Sequence, residues 1–291
     1  MKLSEFYNLV VKFGSDRDPR RGARIKAYAD STILYGDLDT QIKKILVGID
    51  IEVPELLLAE TIRKKQGLDL VIGHHPEGRA YAGLHQVMQL QVDLLRQAGI
   101  NEATAQKLLD ERMQEVERRI MPQNHTRPVD AARLLDMPFM CMHTPADNHV
   151  FWFITRLMES KKPQTVQDVI DILLEVPEYR LAQKGLVGPQ VIIGSPKRRV
   201  GKVLVEMTGG TEGSKDVFDK LYKVGVRTLI SMHLSEEHFK KAKDANLNAI
   251  IAGHISSDTL GLNLLLDRIE KHAKQTFQVI NCSGFTRIRR K

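Results

Sequence analysis

The sequence predicts an α/β fold in which two related α/β lobes face one another across a shared site. Three observations predict it. Short apolar runs alternate with amphipathic stretches along most of the 291 residues, and strand–helix alternation with short connections marks a largely parallel sheet. Two units echo each other: "KKQGLDLVIGHH" (64–75) and "KDANLNAIIAGH" (243–254) both run helix end, turn, apolar strand, glycine, histidine. Four strands end in histidine or aspartate, and open α/β sheets bind ligands at the carboxyl ends of their strands.

The elements follow in order. "MKLSEFYNLVVKFGSDRDPRR" opens with a brief apolar patch and no small-residue cleavage pattern, so no signal peptide is expected. "KILVGIDI" (44–51) is the first strand, ending in Asp50, and a helix follows over 54–66. "LDLVIG" (68–73) is the second, running into His74 and His75 before Pro76.

Residues 84–120 break the rhythm. Val87, Leu90 and Leu94 share one helical face, as do Leu109, Met113, Val116 and Ile120, with a turn at Gly99–Ile100–Asn101. They predict an inserted helical hairpin, either a cap over a site or an oligomer contact. "MPQNHTRPVD" (121–130), polar with two prolines, reads as a loop. "PFMCMH" (138–143) is the third strand and leads into a helix over 148–160.

The first lobe is therefore placed at 1–160 and the second at 161–291. In the second, strands are expected at 190–195, 202–208, 227–232, 248–253 and 277–283. Helices are expected at 165–175, 214–224, 235–245 and 258–273, with Ser214 and Ser235 placed to accept from free backbone N–H groups.

Composition narrows the function classes. No apolar run reaches the roughly 18 residues of a bilayer span. The net charge of +7 is modest, and its basic clusters, "RDPRRGARIK" (17–26) and "RIRRK" (287–291), lack interleaved aromatics. A nucleic-acid platform is not indicated, and solvated termini are the plainer reading. Cys141 and Cys282 lie isolated in apolar runs, which points to free thiols and a cytoplasmic protein.

The chemistry gathers at strand ends. His74, His75 and His254 offer imidazole nitrogens, and Asp147 and Asp258 offer carboxylate oxygens, the latter two in "HTPAD" and "GHISSD". Five mixed ligands exceed the needs of one tetrahedral site. They suit two divalent ions about 3.5–4 Å apart with a bridging carboxylate. A lone strand-end histidine is ordinarily a hydrogen-bonded rim residue, but two side by side, with two further His–Asp pairs, favour metal. Adjacent strand residues point to opposite faces, so aiming both histidines at one site requires the strand to be ending. Gly73 and Pro76 are consistent with that change of direction.

Near the ions, His143 or Glu77 could move the proton in catalysis. The turn "TGGTEGS" (208–214), with Gly209, Gly210 and Thr211, either contacts an anionic substrate through backbone N–H groups or is a tight turn capped by Ser214. It is not a Walker or dinucleotide fingerprint.

"VIGHHP", "HTPAD" and "GHISSD", in that order along an α/β chain, resemble the family named for a yeast Ngg-interacting factor. Its members are dinuclear metal-centre proteins described as GTP cyclohydrolase I type 2. The resemblance covers roughly 40–80 and 137–285. It implies metal ligation by His74, His75, Asp147, His254 and Asp258, a two-lobed fold and a toroidal hexamer. Three features depart from the family pattern: Asp258 replaces a glutamate, Glu77 replaces an apolar residue, and the link from His75 to His143 is longer.

The resulting expectation is a dinuclear metal-dependent hydrolase, with two divalent ions per chain drawn from zinc, manganese, iron or nickel. Its substrate would be a small molecule, a purine nucleotide if the resemblance extends that far, or a phosphoester or amide. The alternatives are a metal-binding regulatory or scaffold protein without turnover and a nucleic-acid-associated protein using the basic termini.

Overall fold

All eight expected strands form, and they pair as two sheets. The computed structural model describes residues 1–20, 22 and 25–290. In chain order it runs α1 (Leu3–Ser15), β1 (Ile33–Tyr35), β2 (Lys44–Gly48), α2 (Val53–Gln66), β3 (Leu70–Gly73), α3 (Gly78–Ala82), α4 (Leu84–Val87) and α5 (Leu90–Ala98). Next come α6 (Glu102–Ile120), α7 (Arg127–Leu134), β4 (Phe139–Cys141), α8 (Thr144–Lys161), α9 (Val166–Leu174) and α10 (Pro177–Lys184). The remainder is β5 (Gln190–Ile193), β6 (Lys202–Glu206), α11 (Phe218–Lys223), β7 (Val226–Ser231), α12 (Glu236–Asp244), β8 (Asn248–Ile251), α13 (His254–Ala273) and β9 (Gln278–Asn281).

The first sheet has the order β1-β4-β3-β2-β9 and the second β5-β8-β7-β6. Pairings are parallel except β1 with β4 and β5 with β8. β9 pairs with β2. The range 161–291, expected wholly in the second lobe, therefore returns its last strand to the first sheet.

Strand alternation sorts the apolar residues into layers. Ile45, Val47, Leu70 and Ile72 face α1 and α13, while Leu46, Val71 and Phe139 face α2 and α7. In the second sheet Val205, Ile230 and Ile250 face α8, α9 and α13. Leu229 and Ala249 face the opposite way, onto α4–α6 and α11. The pair α8 and α13 thus lies between the two sheets and is packed by both.

The hairpin forms, with its first helix broken at Met88–Gln89 into α4 and α5. It is the outer layer of the second sheet, with Val92, Leu95, Leu109 and Val116 buried there. Segment 121–130, expected to be a loop, gives its last residues to α7. Pro128 sits in that helix's first turn, where no backbone N–H is needed.

The C-terminal arginines are not a solvated basic cluster. The Arg287 side chain is 4% exposed and pairs with Asp267 and Glu270 of α13. Arg290 reaches the fully buried Glu178 of α10. The N-terminal basic cluster lies partly outside the described residues. Arg287→Ala should cost about 2 kcal/mol, because charge-assisted hydrogen bonds to two carboxylates are lost. A denaturant midpoint equal to wild type would show that the tail contributes nothing to stability.

Candidate metal centre

β3 ends in an arrangement that explains the paired histidines. The backbone N–H of His74 donates to Gly48 O (2.9 Å) and Ile49 O (3.1 Å), and that of His75 donates to the same Ile49 carbonyl at 2.9 Å. Two successive N–H groups converging on one oxygen coil the chain. Consecutive side chains then stop alternating, and both rings turn into one cleft.

The other ligand candidates arrive on the two central helices. Asp147 lies in the first turn of α8 and Asp258 near the start of α13, and both are buried. A helix N-terminus carries partial positive charge and favours a carboxylate there. His254 opens α13 directly after Gly253, whose φ of 108° belongs to the left-handed region that favours glycine.

The Nε2 atom of His74 lies 3.4 Å from Asp147 Oδ1 and 3.4 Å from Asp258 Oδ1. The Nε2 atoms of His75 and His254 each lie 3.5 Å from Asp258 Oδ2 and 3.3 Å from one another. His143 Nε2 is 3.7 Å from Asp147 Oδ2. Two groups could each hold an ion: His74, His143 and Asp147, and His74, His75 and Asp258. Asp258 is the carboxylate in reach of His74, His75 and His254 alike. It reaches all three from its place near the start of α13.

Three of the four rings, those of His74, His75 and His143, are oriented from behind. His75 Nδ1–H donates to Asp50 at 2.6 Å, His143 Nδ1–H to Asp30 at 2.7 Å, and His74 Nδ1–H to the Met142 carbonyl at 3.1 Å. A carboxylate or carbonyl in these positions can only accept, so in each neutral ring Nε2 is left with its lone pair directed inward. This is the carboxylate–histidine arrangement that supports metal ligands. Asp30 was not expected from the sequence. It is fully buried and also accepts from the hydroxyl of Thr144 at 2.6 Å.

The centre calls for positive charge. His74 Nε2, Asp147 Oδ1 and both oxygens of Asp258 are buried with no hydrogen-bond partner. Burial would lower the pKa of His75, but the facing carboxylates of Asp258 and Asp50 push it up to about 9. Burial likewise disfavours the charged form of His74, yet Asp258 and Asp147 raise its pKa well above the usual value. Burial opposes ionisation of Asp258, and the surrounding histidines nevertheless hold its carboxyl below the ordinary range. A donor set of imidazole and carboxylate with inward orphan atoms fits divalent transition ions.

The remaining expected residues divide. His143 stands among the possible ligands. Glu77 lines the cleft over the centre, where burial and then Glu52 and Asp50 push its pKa up to about 7. Gly210 and Thr211 also line that cleft, which has a volume of about 430 Å³. Gly209 is turned to the hairpin, where an added Cβ would lie 2.7 Å from side-chain atoms of both Leu90 and Gln91. Gln91 further donates to the carbonyls of Gly209 and Thr211, each at 2.7 Å. The glycines of this turn thus admit the hairpin, which fixes the turn beside the centre.

Replacing Asp30 with Asn should leave the fold intact but free the His143 ring. Loss of such a supporting carboxylate typically costs 10–100-fold in metal affinity. Competition with a chromogenic chelator measures it; wild-type affinity would dismiss the supporting role of Asp30.

A model of the family Duf34/NIF3 (NGG1p interacting factor 3) matches residues 87–285. No curated protein matches the chain in sequence. Among solved structures, a NIF3 superfamily protein from Sphaerobacter thermophilus is similar with a TM-score of 0.84 and 28% identity, over 98% of this chain and 99% of that one. Reduced HcgD from Methanocaldococcus jannaschii is similar with a TM-score of 0.58 and 16% identity, over 97% of each chain. A hypothetical protein of Staphylococcus aureus gives 0.54 and 13%, over 97% of this chain and 96% of that one. The last two likenesses concern the fold alone.

Proposed function

The chain belongs to the Duf34/NIF3 family, and from that premise we propose that it is a metal-dependent hydrolase with a dinuclear centre. The observation that carries this reading is the set of buried, unpartnered ligand atoms on His74, Asp147 and Asp258, with ring orientation supplied from behind. One ion would be held by His74, His143 and Asp147. The second would be held by His75, His254 and Asp258, with Asp258 also in reach of His74.

Bound divalent ions would supply a water of lowered pKa and a polarised bond for it to attack. The protein's own part is to orient, to exclude and to move protons. Asp30 and Asp50 fix His143 and His75, and the hairpin fixes Gly209 and Thr211 through Gln91. Glu77, with a pKa of about 7 at the cleft wall, suits a group that accepts and returns a proton near neutral pH. Small-molecule turnover in the cytoplasm by a homo-oligomer, a hexamer by family resemblance, completes the proposal.

The test is elemental mass spectrometry of protein purified without chelator, paired with a hydrolysis screen of nucleotides, phosphoesters and amides. About two equivalents of metal per chain, falling in His75→Ala, are expected. Protein that stays metal-free and cannot be reloaded would overturn the reading. Full metal without hydrolysis of any substrate class would favour a regulatory or scaffold role.

A further inference from the structure

A second cavity meets the centre at His254. It has a volume of about 560 Å³ and lies between α10, β5, the end of β8, the start of α13 and the chain after β9. Leu181, Leu186, Val187, Ile192, Ile251 and Ile255 make its wall largely apolar, and such a size and lining suit a small molecule. Of the ligand candidates, His254 alone borders both this cavity and the cleft over the centre.

Three groups of hydrogen-bond donors stand at its α13 end. The helix is 20 residues long and begins there with no side-chain cap. Among the described residues, the backbone N–H groups of His254, Ile255 and Ser256 have no acceptor, and such a helix start favours an anion. Thr259 shares a helical face with Ile255 and Ser256 and lines the cavity with them. It is 4% exposed, and its hydroxyl is buried without a hydrogen-bond partner, an arrangement that is costly unless something supplies an acceptor. Helical side chains lean back towards the N-terminus, so this hydroxyl is carried towards the helix start.

The third donor is the ring of His254. Its Nε2 is turned to Asp258 and His75 in the centre, and its Nδ1 has no partner among the described residues. A ligating histidine donates its other ring N–H to an acceptor, as His74, His75 and His143 do here. Glu178, the one carboxylate among the described lining residues, does not fill that place, because it accepts from Arg290 at 2.7 Å and Asn263 at 3.0 Å.

We infer that this cavity binds a small molecule with an apolar body and a carboxylate head. The body lies on the aliphatic wall, and the head accepts at the start of α13 from the Thr259 hydroxyl and His254 Nδ1–H. The bound molecule thereby gives His254 the support that the other three rings draw from the protein, and acts on the centre without being its substrate. That coupling rests on the dinuclear reading; the binding does not.

Titration calorimetry of the full chain, metal-loaded and metal-free, tests this with octanoate and octylamine, which share a body and differ in head charge. Octanoate is expected to bind at least about tenfold more tightly than octylamine. Thr259→Val, which keeps the shape and removes the hydroxyl, should weaken octanoate about fivefold. Octanoate should bind the loaded chain about tenfold more tightly than the metal-free chain, the scale on which supporting groups act on a metal ligand, and linkage requires an equal gain in metal affinity. Absence of octanoate binding, equal binding of the two probes, unchanged affinity in Thr259→Val, or equal affinity with and without metal would each overturn the inference. A dimer that excludes octanoate, and that Leu186→Asp dissociates, would overturn it by giving this face to a second copy. Failure of the dinuclear reading shows separately, as protein that takes up no metal yet keeps the preference for octanoate and its dependence on Thr259.

Discussion

Asp258→Asn is expected to empty the centre. Metal content should fall from about two equivalents per chain to under about one, and any hydrolysis should drop by roughly a hundredfold or more. The reason is geometric: one carboxylate lies 3.4 Å from His74 Nε2 and 3.5 Å from the Nε2 atoms of both His75 and His254. An amide keeps one acceptor oxygen, loses the charge and turns an N–H₂ towards nitrogen atoms that should themselves be ligating. Without metal the variant also leaves His74 buried beside a weakened partner. Removing one member of a buried ion pair costs about 3–5 kcal/mol, so its melting temperature should fall below that of chelator-treated wild type. Elemental mass spectrometry and thermal melts of the same preparations decide it. Wild-type metal content would mean that the ions, if present, sit elsewhere.

How much of this was legible beforehand depended on the range of the interaction. β2, β3, β7 and β8 are nearly continuous apolar runs because both faces of their sheets are covered, and such runs stand out in a sequence. β1 did not stand out: three half-buried residues pair with β4 across a hundred positions of chain. α1 was read as a brief apolar patch, although Leu3, Phe6, Val10 and Phe13 line one buried helical face. The ligand candidates were legible because they sit directly after strands, where α/β sheets present their side chains. Asp30 was not, since it lies in an irregular segment and meets His143 only through the tertiary fold. Nor was the hairpin's part legible: Gln91 carries no sequence signal, and its link to the turn at 209–211 exists only once α5 packs on the second sheet. The sequence left that turn open between a substrate contact and a capped tight turn, and the close packing of Gly209 on the hairpin is a feature neither reading held.

The position of the centre depends on how closely α8 and α13 approach, which makes Gly261, at their crossing, a sensitive residue outside the ligands. A methyl group added there would lie 2.5 Å from the Ala146 carbonyl oxygen and 2.9 Å from its carbon. Those are backbone atoms adjoining Asp147, and they cannot rotate away as a side chain would. Gly261→Ala gains helix propensity of about 1 kcal/mol, but overpacking typically costs 1–3 kcal/mol and more where backbone must shift. Two sheets grip these helices from either side, so relaxation is restricted and the cost should exceed the gain. We expect a net loss of about 2 kcal/mol, a fall in Tm of roughly 4–8 °C. We also expect weaker metal binding than stability alone explains, because the same methyl drives Asp258 and Asp147 apart. Gly261→Ser should behave alike, whereas an alanine at Gly67, where an added Cβ meets nothing within 4 Å, should leave metal affinity unchanged. If Gly261→Ala matched wild type in both readouts, the close crossing of α8 and α13 could not be what brings the two aspartates to one centre.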